Sequence, residues 1–355
     1  MYLDVRKLEH GIPCAVRGFG YTELPDDCGY DNTRFIQQAL TETGYQQMIA
    51  DLELGSLPQT EAIAQAAQKF VDSIGITRRY IFPGNTAELG TLAAEACLRN
   101  AGVSASDLSA IVVGTNTGHG YPSTADLIKQ YLGQPSPAMC YDVAEACPSG
   151  VLAIFQGWLL VRSGVSPVLV VGVDKTSTLA SRHDWKGFNL FGDAAFAWLL
   201  TAGQSEEFLF FDFVSDPFGG LSELVVRGYD GFFRQDGPAV HRYVAKIVPQ
   251  VVERCLAAAA IDPLTIKHVI PHQPSAKTLD LLVSKFFSRW PTWRESVTVH
   301  RNIEVMGNTS AACTGWLIGR GIQTGLIKPG ELCLVTSFGA GMSLGTFAFA
   351  PTLRP

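Results

Sequence analysis

A chain of 355 residues with 47% apolar and 17% charged side chains can bury an extensive core, which excludes disorder for most of its length and fits two ordinary domains or one large duplicated one. The net charge of −6, with no basic run longer than Arg78-Arg79, excludes a nucleic-acid surface, and the apolar runs are too short or too interrupted to insert in a membrane. Eight cysteines without C-x-x-C spacing argue against a disulfide framework or a metal site and, with no apolar signal segment in the opening residues, set the expectation of a cytoplasmic protein with reduced thiols.

Residues 21–70 carry two polar stretches that predict helices over 33–44 and 60–73, on either side of a Leu-Gly-Ser-Leu-Pro break. Residues 95–112 then read as a helix, a short Asp/Ser connection and a strand of β-branched residues. The same pattern returns at 253–270, at an offset of 158 residues, with Cys97-Leu98 answered by Cys255-Leu256. A second pair follows in the same order: Cys147 to Gly164, and Asn308 to Gly325, each an apolar helix of equal length leading into a strand. The repeat divides the chain into halves at 1–205 and 206–355 and predicts a parallel-strand α/β scaffold doubled about a pseudo-dyad. It makes Cys147 and Asn308 equivalent, each opening a helix so apolar that it belongs between two sheets. A five-layer α-β-α-β-α arrangement is expected.

Position gives Cys147 its chemical interest. It precedes Pro148, a residue suited to the first helical position, so its thiol is expected at a helix N-terminus, where the dipole and free N–H groups favour thiolate. His272 follows the second-copy strand, at the end of a strand where α/β proteins place functional loops. The glycine-rich segment 338–345 lacks the spacing and following helix of a dinucleotide fingerprint and reads as a tight turn that lets backbone approach Cys147.

Six segments in order, Asp142-Val-Ala-Glu-Ala-Cys147, Phe191-Gly-Asp193-Ala-Ala195, Pro271-His272-Gln273, Gly307-Asn308-Thr-Ser-Ala-Ala312, Lys328-Pro-Gly330 and Ser337-Phe338-Gly339-Ala340-Gly341, resemble the β-ketoacyl-acyl-carrier-protein synthase III family of the thiolase-like superfamily. The likeness covers roughly residues 75–350. It implies a duplicated thiolase-like fold with two mixed sheets around buried helices, a homodimer, a deep pantetheine tunnel, and Cys147, His272 and Asn308 as catalytic residues. By the same resemblance the backbone N–H groups of Cys147 and Ala340 form the oxyanion hole, Phe338 is a gate, and Tyr121 reaches across the dimer to the acyl pocket. The implied reaction loads an acyl group on Cys147 and condenses it, with loss of carbon dioxide, with a malonyl-type thioester, in specialised fatty-acid or polyketide biosynthesis. No resident cofactor is implied, since substrates come as coenzyme A or acyl-carrier-protein thioesters.

The chain departs from the family's pattern around the nucleotide end of coenzyme A. Lys69 and Ser73 stand where a stacking tryptophan and an arginine belong, and Ser275 and Lys277 replace an asparagine and an arginine after Pro271-His272-Gln273. At least one substrate is therefore expected on an acyl carrier protein or as an unusual thioester, and residues 21–70 are expected to reshape the tunnel mouth. The alternative on the same scaffold is an acyltransferase or thioesterase that forms no carbon–carbon bond. A papain-like protease shares the order Cys, His, Asn but lacks the Cys-Gly-Ser-Cys-Trp signature. A non-catalytic partner subunit would be expected to have lost a member of the Cys147, His272, Asn308 set.

Overall fold

Runs of Val, Ile, Leu and Phe build two sheets on one plan. The computed structural model describes residues 1–215 and 220–353; the second half expected at 206–355 includes 216–219 and 354–355, which lie outside the described residues. Strands β1 (Tyr2–Asp4), β2 (Cys14–Tyr21), β3 (Gly29–Asp31), β4 (Arg78–Tyr80), β5 (Ala110–Gly114), β6 (Met139–Val143), β7 (Val168–Asp174) and β8 (Ala194–Ala202) precede the turn at 203–207. After it come β9 (Phe208–Val214), β10 (Val225–Arg227), β11 (Phe233–Gln235), β12 (Ile266–Pro271), β13 (Thr298–Val299), β14 (Leu332–Gly339) and β15 (Ser343–Phe349).

One sheet runs β2-β8-β7-β5-β6 and the other β9-β15-β14-β12-β13. The directions repeat as well: β5 is parallel to β6 and β7, β12 is parallel to β13 and β14, and the two remaining pairings in each sheet are antiparallel. The duplicated α/β plan expected from the repeat is thus the observed one. One strand crosses between the halves. Tyr2–Asp4, placed by sequence in the first half, pairs antiparallel with β9 and covers what would otherwise be the open edge of the second sheet.

Five layers follow from which helix faces are apolar. Helix Ser149–Arg162 has no acidic residue in its first turn and buries Val151, Ile154, Phe155 and Trp158; helix Cys313–Gln323 buries Trp316, Leu317 and Ile318. Apolar nearly all round, both lie between the sheets, packed with Val170, Phe196 and Trp198 of the first and Phe211, Val335 and Phe347 of the second. The outer helices bury one face only. Helix Thr86–Ala101, opened by an Asn85–Glu88 capping box and closed by left-handed Gly102, lays Leu89, Ala93 and Cys97 on Ile111 and Val171. Helix Gly237–Ala258 lays Val244, Val248 and Val252 on Val269 and Leu334.

The segment 21–70 departs from its sequence reading. Its second helix, Gln59–Ile74, forms as expected, ending at left-handed Gly75. The first does not run unbroken over 33–44. It is a π-type turn, Phe35–Ala39, and a separate helix, Glu42–Asp51, whose cap Thr41 accepts from the Gly44 N–H. Tertiary contact causes the break, because the Thr41 N–H and hydroxyl both donate to the Arg182 carbonyl. The stretches also present apolar inner faces: Phe35, Met48, Ala66 and Phe70 form a core with Trp185, Phe188 and Phe191. Phe70 stacks on Trp185 with ring centroids 5.3 Å apart, and the Trp185 indole donates to Asp51. Truncating such a buried ring to alanine typically costs about 3–5 kcal/mol, so this segment is an integral part of the fold.

Candidate active site

The two central helices meet at their N-terminal ends. Gly150 and Ala311 each follow their repeat-equivalent residues, Cys147 and Asn308, by three positions, and a Cβ on Gly150 would stand 2.1 Å from the Ala311 carbonyl oxygen. Only glycine permits that approach. Asp174, at the end of β7 and fully buried, ties the same junction together: it accepts from the Asn116 N–H at 2.6 Å, the Asn116 side-chain amide at 2.9 Å and the Ala311 N–H at 3.1 Å. The Asn116 amide also donates to the Ala146 carbonyl at 2.7 Å, which holds the turn carrying Cys147.

That turn is tight. Ala146 adopts φ +51°, and the Ser149 N–H and hydroxyl both donate to its carbonyl, at 3.0 and 2.7 Å. Pro148 stands one residue before helix Ser149–Arg162 and already has helical angles, so the expected first helical position shifts by one without changing its role. From the other side Gly339 closes on Cys147: a Cβ there would lie 2.7 Å from the Cys147 nitrogen and 2.9 Å from the Pro148 ring. The glycine-rich segment therefore does let backbone approach Cys147.

These elements enclose a cavity of about 340 Å³ lined by Cys147, His272 and Asn308, with Phe338 and Ala340 also on its wall. Its remaining surface is mostly apolar, from Leu179, Phe191, Val240 and Val244, and the hairpin β10–β11 contributes Val225, Arg227, Phe233 and Gln235. The other expected substrate-binding residues lie elsewhere. Tyr121 is 99% exposed on the single chain. Ser275 caps helix Ala276–Arg289, its hydroxyl accepting from the Thr278 N–H, and the neighbouring Lys277 is exposed; neither lines the cavity. No residue of 21–70, expected to reshape the mouth, lines it; this segment packs against the wall residue Phe191. Lys69 and Ser73 are engaged locally, donating to the carbonyls of Leu52 and Phe70.

Electrostatics correct one expectation. Cys147 keeps part of its surface open to the cavity, but its sulfur is deep in the protein, and the loss of hydration pushes its thiol up to about 12. The Ser310 hydroxyl, donating to the sulfur at 3.5 Å, lowers it and Asp174 raises it. Burial thus acts against the thiolate that the helix N-terminus favours.

The other two side chains are oriented as neutral donors. Asn308 Oδ1 accepts from the Ser310 N–H at 2.9 Å; a backbone N–H can only donate, so the atom facing it is the oxygen, leaving the Asn308 NH₂ for the cavity. His272 is 2% exposed, packs edge-on against Phe338 at 5.1 Å, and burial lowers its pKa to about 3. Between that value and an unfolded value of about 6.5, only the unfolded chain takes up a proton. The stability from neutral His272 is thus complete above about pH 6.5 and is lost as the pH falls towards 3, by about 2 kcal/mol at pH 5. Urea midpoints between pH 7.5 and 5 are expected to fall more steeply in the wild type than in His272→Asn; equal slopes would contradict a neutral imidazole. Asp193, raised by burial to about 6, acts with the opposite sign in both proteins and cancels in the comparison.

Sequence reasoning did not single out Asn116, Ser310, Cys313 or the β10–β11 hairpin. Ser310 and Cys313 follow Asn308 by two and five residues inside a segment already recognised, which was the available signal. The hairpin carries no motif, and its place at the cavity is a tertiary fact.

Known proteins resemble this chain over most of its length. The family model for 3-oxoacyl-[acyl-carrier-protein] synthase III matches residues 141–217, and that for its C-terminal part matches 256–350. An acetoacetyl CoA synthase, NphT7, from Streptomyces sp. strain CL190 is 31% identical over 277 residues, 73% of this chain and 82% of the relative. A beta-ketoacyl-[acyl-carrier-protein] synthase III from Bartonella henselae is 30% identical, over 82% of this chain and 95% of the relative. Among solved structures, the Pseudomonas aeruginosa 3-oxoacyl-(acyl carrier protein) synthase III superposes with a TM-score of 0.78 at 27% identity, covering 97% of this chain and all of the other. On these sequence and structural grounds the chain belongs to the β-ketoacyl-[acyl-carrier-protein] synthase III family of the thiolase-like superfamily.

Proposed function

We propose that this protein is a condensing enzyme that joins an acyl thioester to a malonyl-type thioester with loss of carbon dioxide. The observation that carries the reading is the convergence of Cys147, His272 and Asn308 on one largely apolar cavity. Cys147 sulfur attacks the acyl thioester carbonyl, the oxyanion is met by the backbone N–H groups of Cys147 and Ala340, and the carrier thiol leaves with the proton. The malonyl thioester then loses carbon dioxide. Its enolate oxygen is held by two neutral donors, the His272 ring N–H and the Asn308 NH₂, a role for which a depressed imidazole pKa is suited because no proton is lost or gained. The enolate carbon attacks the acyl-Cys147 carbonyl, the carbon–carbon bond forms, and Cys147 sulfur is expelled as thiolate, which takes up a proton from water to restore the resting thiol. A protonated thiol in the resting site is compatible with this sequence, since its proton departs with the first leaving group.

The relatives include an acetoacetyl CoA synthase and an acyl-carrier-protein synthase, which supports thioester substrates of both carrier types. We favour carrier-protein delivery for at least one substrate, because Lys69 and Ser73, at the positions of the family's stacking tryptophan and arginine, are held in local bonds. A homodimer is part of the proposal, with exposed Tyr121 reaching a second chain. Among the described residues no helix is long and apolar enough to cross a membrane. The test is incubation with paired acyl and malonyl thioesters: one carbon dioxide per β-keto product is expected, and acyl transfer to water or an alcohol without carbon dioxide release would replace condensation by the acyltransferase reading.

A further inference from the structure

His272 offers two ring nitrogens, and only the one bearing hydrogen can donate to a developing oxyanion. Nδ1 lies 3.1 Å from the sulfur of Cys313, a residue 1% exposed that does not line the cavity although His272 does. The nitrogen left for the cavity is therefore Nε2. Cys313 opens the helix Cys313–Gln323, five residues after Asn308.

Burial holds the Cys313 thiol well above the usual range, against the lowering by the Gln273 backbone N–H, so the group keeps its proton. That S–H needs an acceptor, and Nδ1 is the one in reach among the described residues. A proton on Nδ1 instead would donate to the sulfur and leave the buried S–H without an acceptor. We propose that Cys313 is a positioning residue: its S–H donates to His272 Nδ1 and so keeps the imidazole proton on Nε2, facing the cavity. One short segment then aims both donors, Asn308 through the Ser310 N–H and His272 through the Cys313 S–H. The inference deepens the proposed condensation and rests on that reading for its catalytic consequence, while the tautomer itself is independent of it.

The experiment uses the full chain labelled with ¹⁵N-histidine, with His272→Asn to assign the ring signals. Wild type is expected to show a single Nε2–H tautomer from pH 5.5 to 8. Cys313→Ala is expected to give mixed tautomers and malonyl-thioester decarboxylation slower by about 10-fold, while acyl loading of Cys147 stays within about two-fold, because only the donor to the enolate is disturbed. Cys313→Ser keeps a donor in place and is expected to restore both the single tautomer and the rate. A proton on Nδ1 in the wild type, or Cys313→Ala unchanged in tautomer and rate, overturns the proposal. If wild type decarboxylates nothing yet the spectra behave as expected, the condensation reading falls and the positioning role stands. If Cys313→Ala fails to fold, the wild-type and Cys313→Ser spectra still decide.

Discussion

Cys147→Ala is expected to show no acyl mass gain with any acyl thioester and condensation lower by more than about 10³-fold, because a methyl group cannot hold the acyl chain. The cavity should survive the change. The turn at Ala146 is held by Ser149 and Asn116, and Gly339 packs on the backbone of residue 147, not on its sulfur. The enolate side of the site is built from other residues, so the variant is expected to keep releasing carbon dioxide from a malonyl thioester, now without product. Intact-protein mass and carbon dioxide release measured together check both halves of this outcome. A variant that still gained acyl mass would place the nucleophile elsewhere; among the free thiols, Cys313 shares the neighbourhood but is buried outside the cavity lining.

Asn308→Ala is expected to do the reverse. Loading of Cys147 should stay near wild type, while decarboxylation and condensation fall about 10²- to 10³-fold, the usual consequence of removing one preorganised donor from a site poor in water. The orientation of the amide makes the prediction specific. Its oxygen is occupied by the Ser310 N–H, so its catalytic contribution must come through the NH₂. Asn308→Asp keeps the acceptor toward Ser310 but supplies no donor and adds a negative charge beside a developing oxyanion, so it is expected to be at least as slow as the alanine variant. Single-turnover acyl loading and steady-state carbon dioxide release separate the two steps. An Asn308→Ala enzyme that decarboxylates normally would remove this residue from the reaction. Slow loading in the same enzyme would mean that the substitution disturbs the Cys147 turn, to which Asn308 is joined through Ser310.

Much of this site could be read from the chain because its parts are local. A cysteine before a proline and an apolar run announces a helix start; a histidine just after a β-branched run sits at a strand end; and a repeat that aligns Cys147 with Asn308 says that the two starts are equivalent. The doubled sheet order, the buried central helices and the convergence of Cys147, His272 and Asn308 follow from those local facts together with burial of apolar surface. The ionisation of Cys147 was not readable in the same way. A helix end is a short-range feature of the sequence, whereas desolvation depends on everything packed round the sulfur, and here desolvation raises the thiol.

Periodicity, turn chemistry and the repeat, written within short stretches, carried the doubled scaffold, the three side chains that line one cavity, and the helix start and strand end at Cys147 and His272. The expected helix start at Asn308 is displaced, because Asn308 stands in a β-bridge with Phe191 and the helix opens at Cys313 after a 3-10 turn. Only the tertiary structure decided that β1 crosses to the second sheet, that Arg182 breaks the first helix of the 21–70 segment at Thr41, that the β10–β11 hairpin walls the cavity, and that Cys313 lies against His272. Each of these brings together residues 41 to more than 200 positions apart, and no local pattern encodes which distant backbone group or side chain will satisfy a given edge, carbonyl or ring nitrogen.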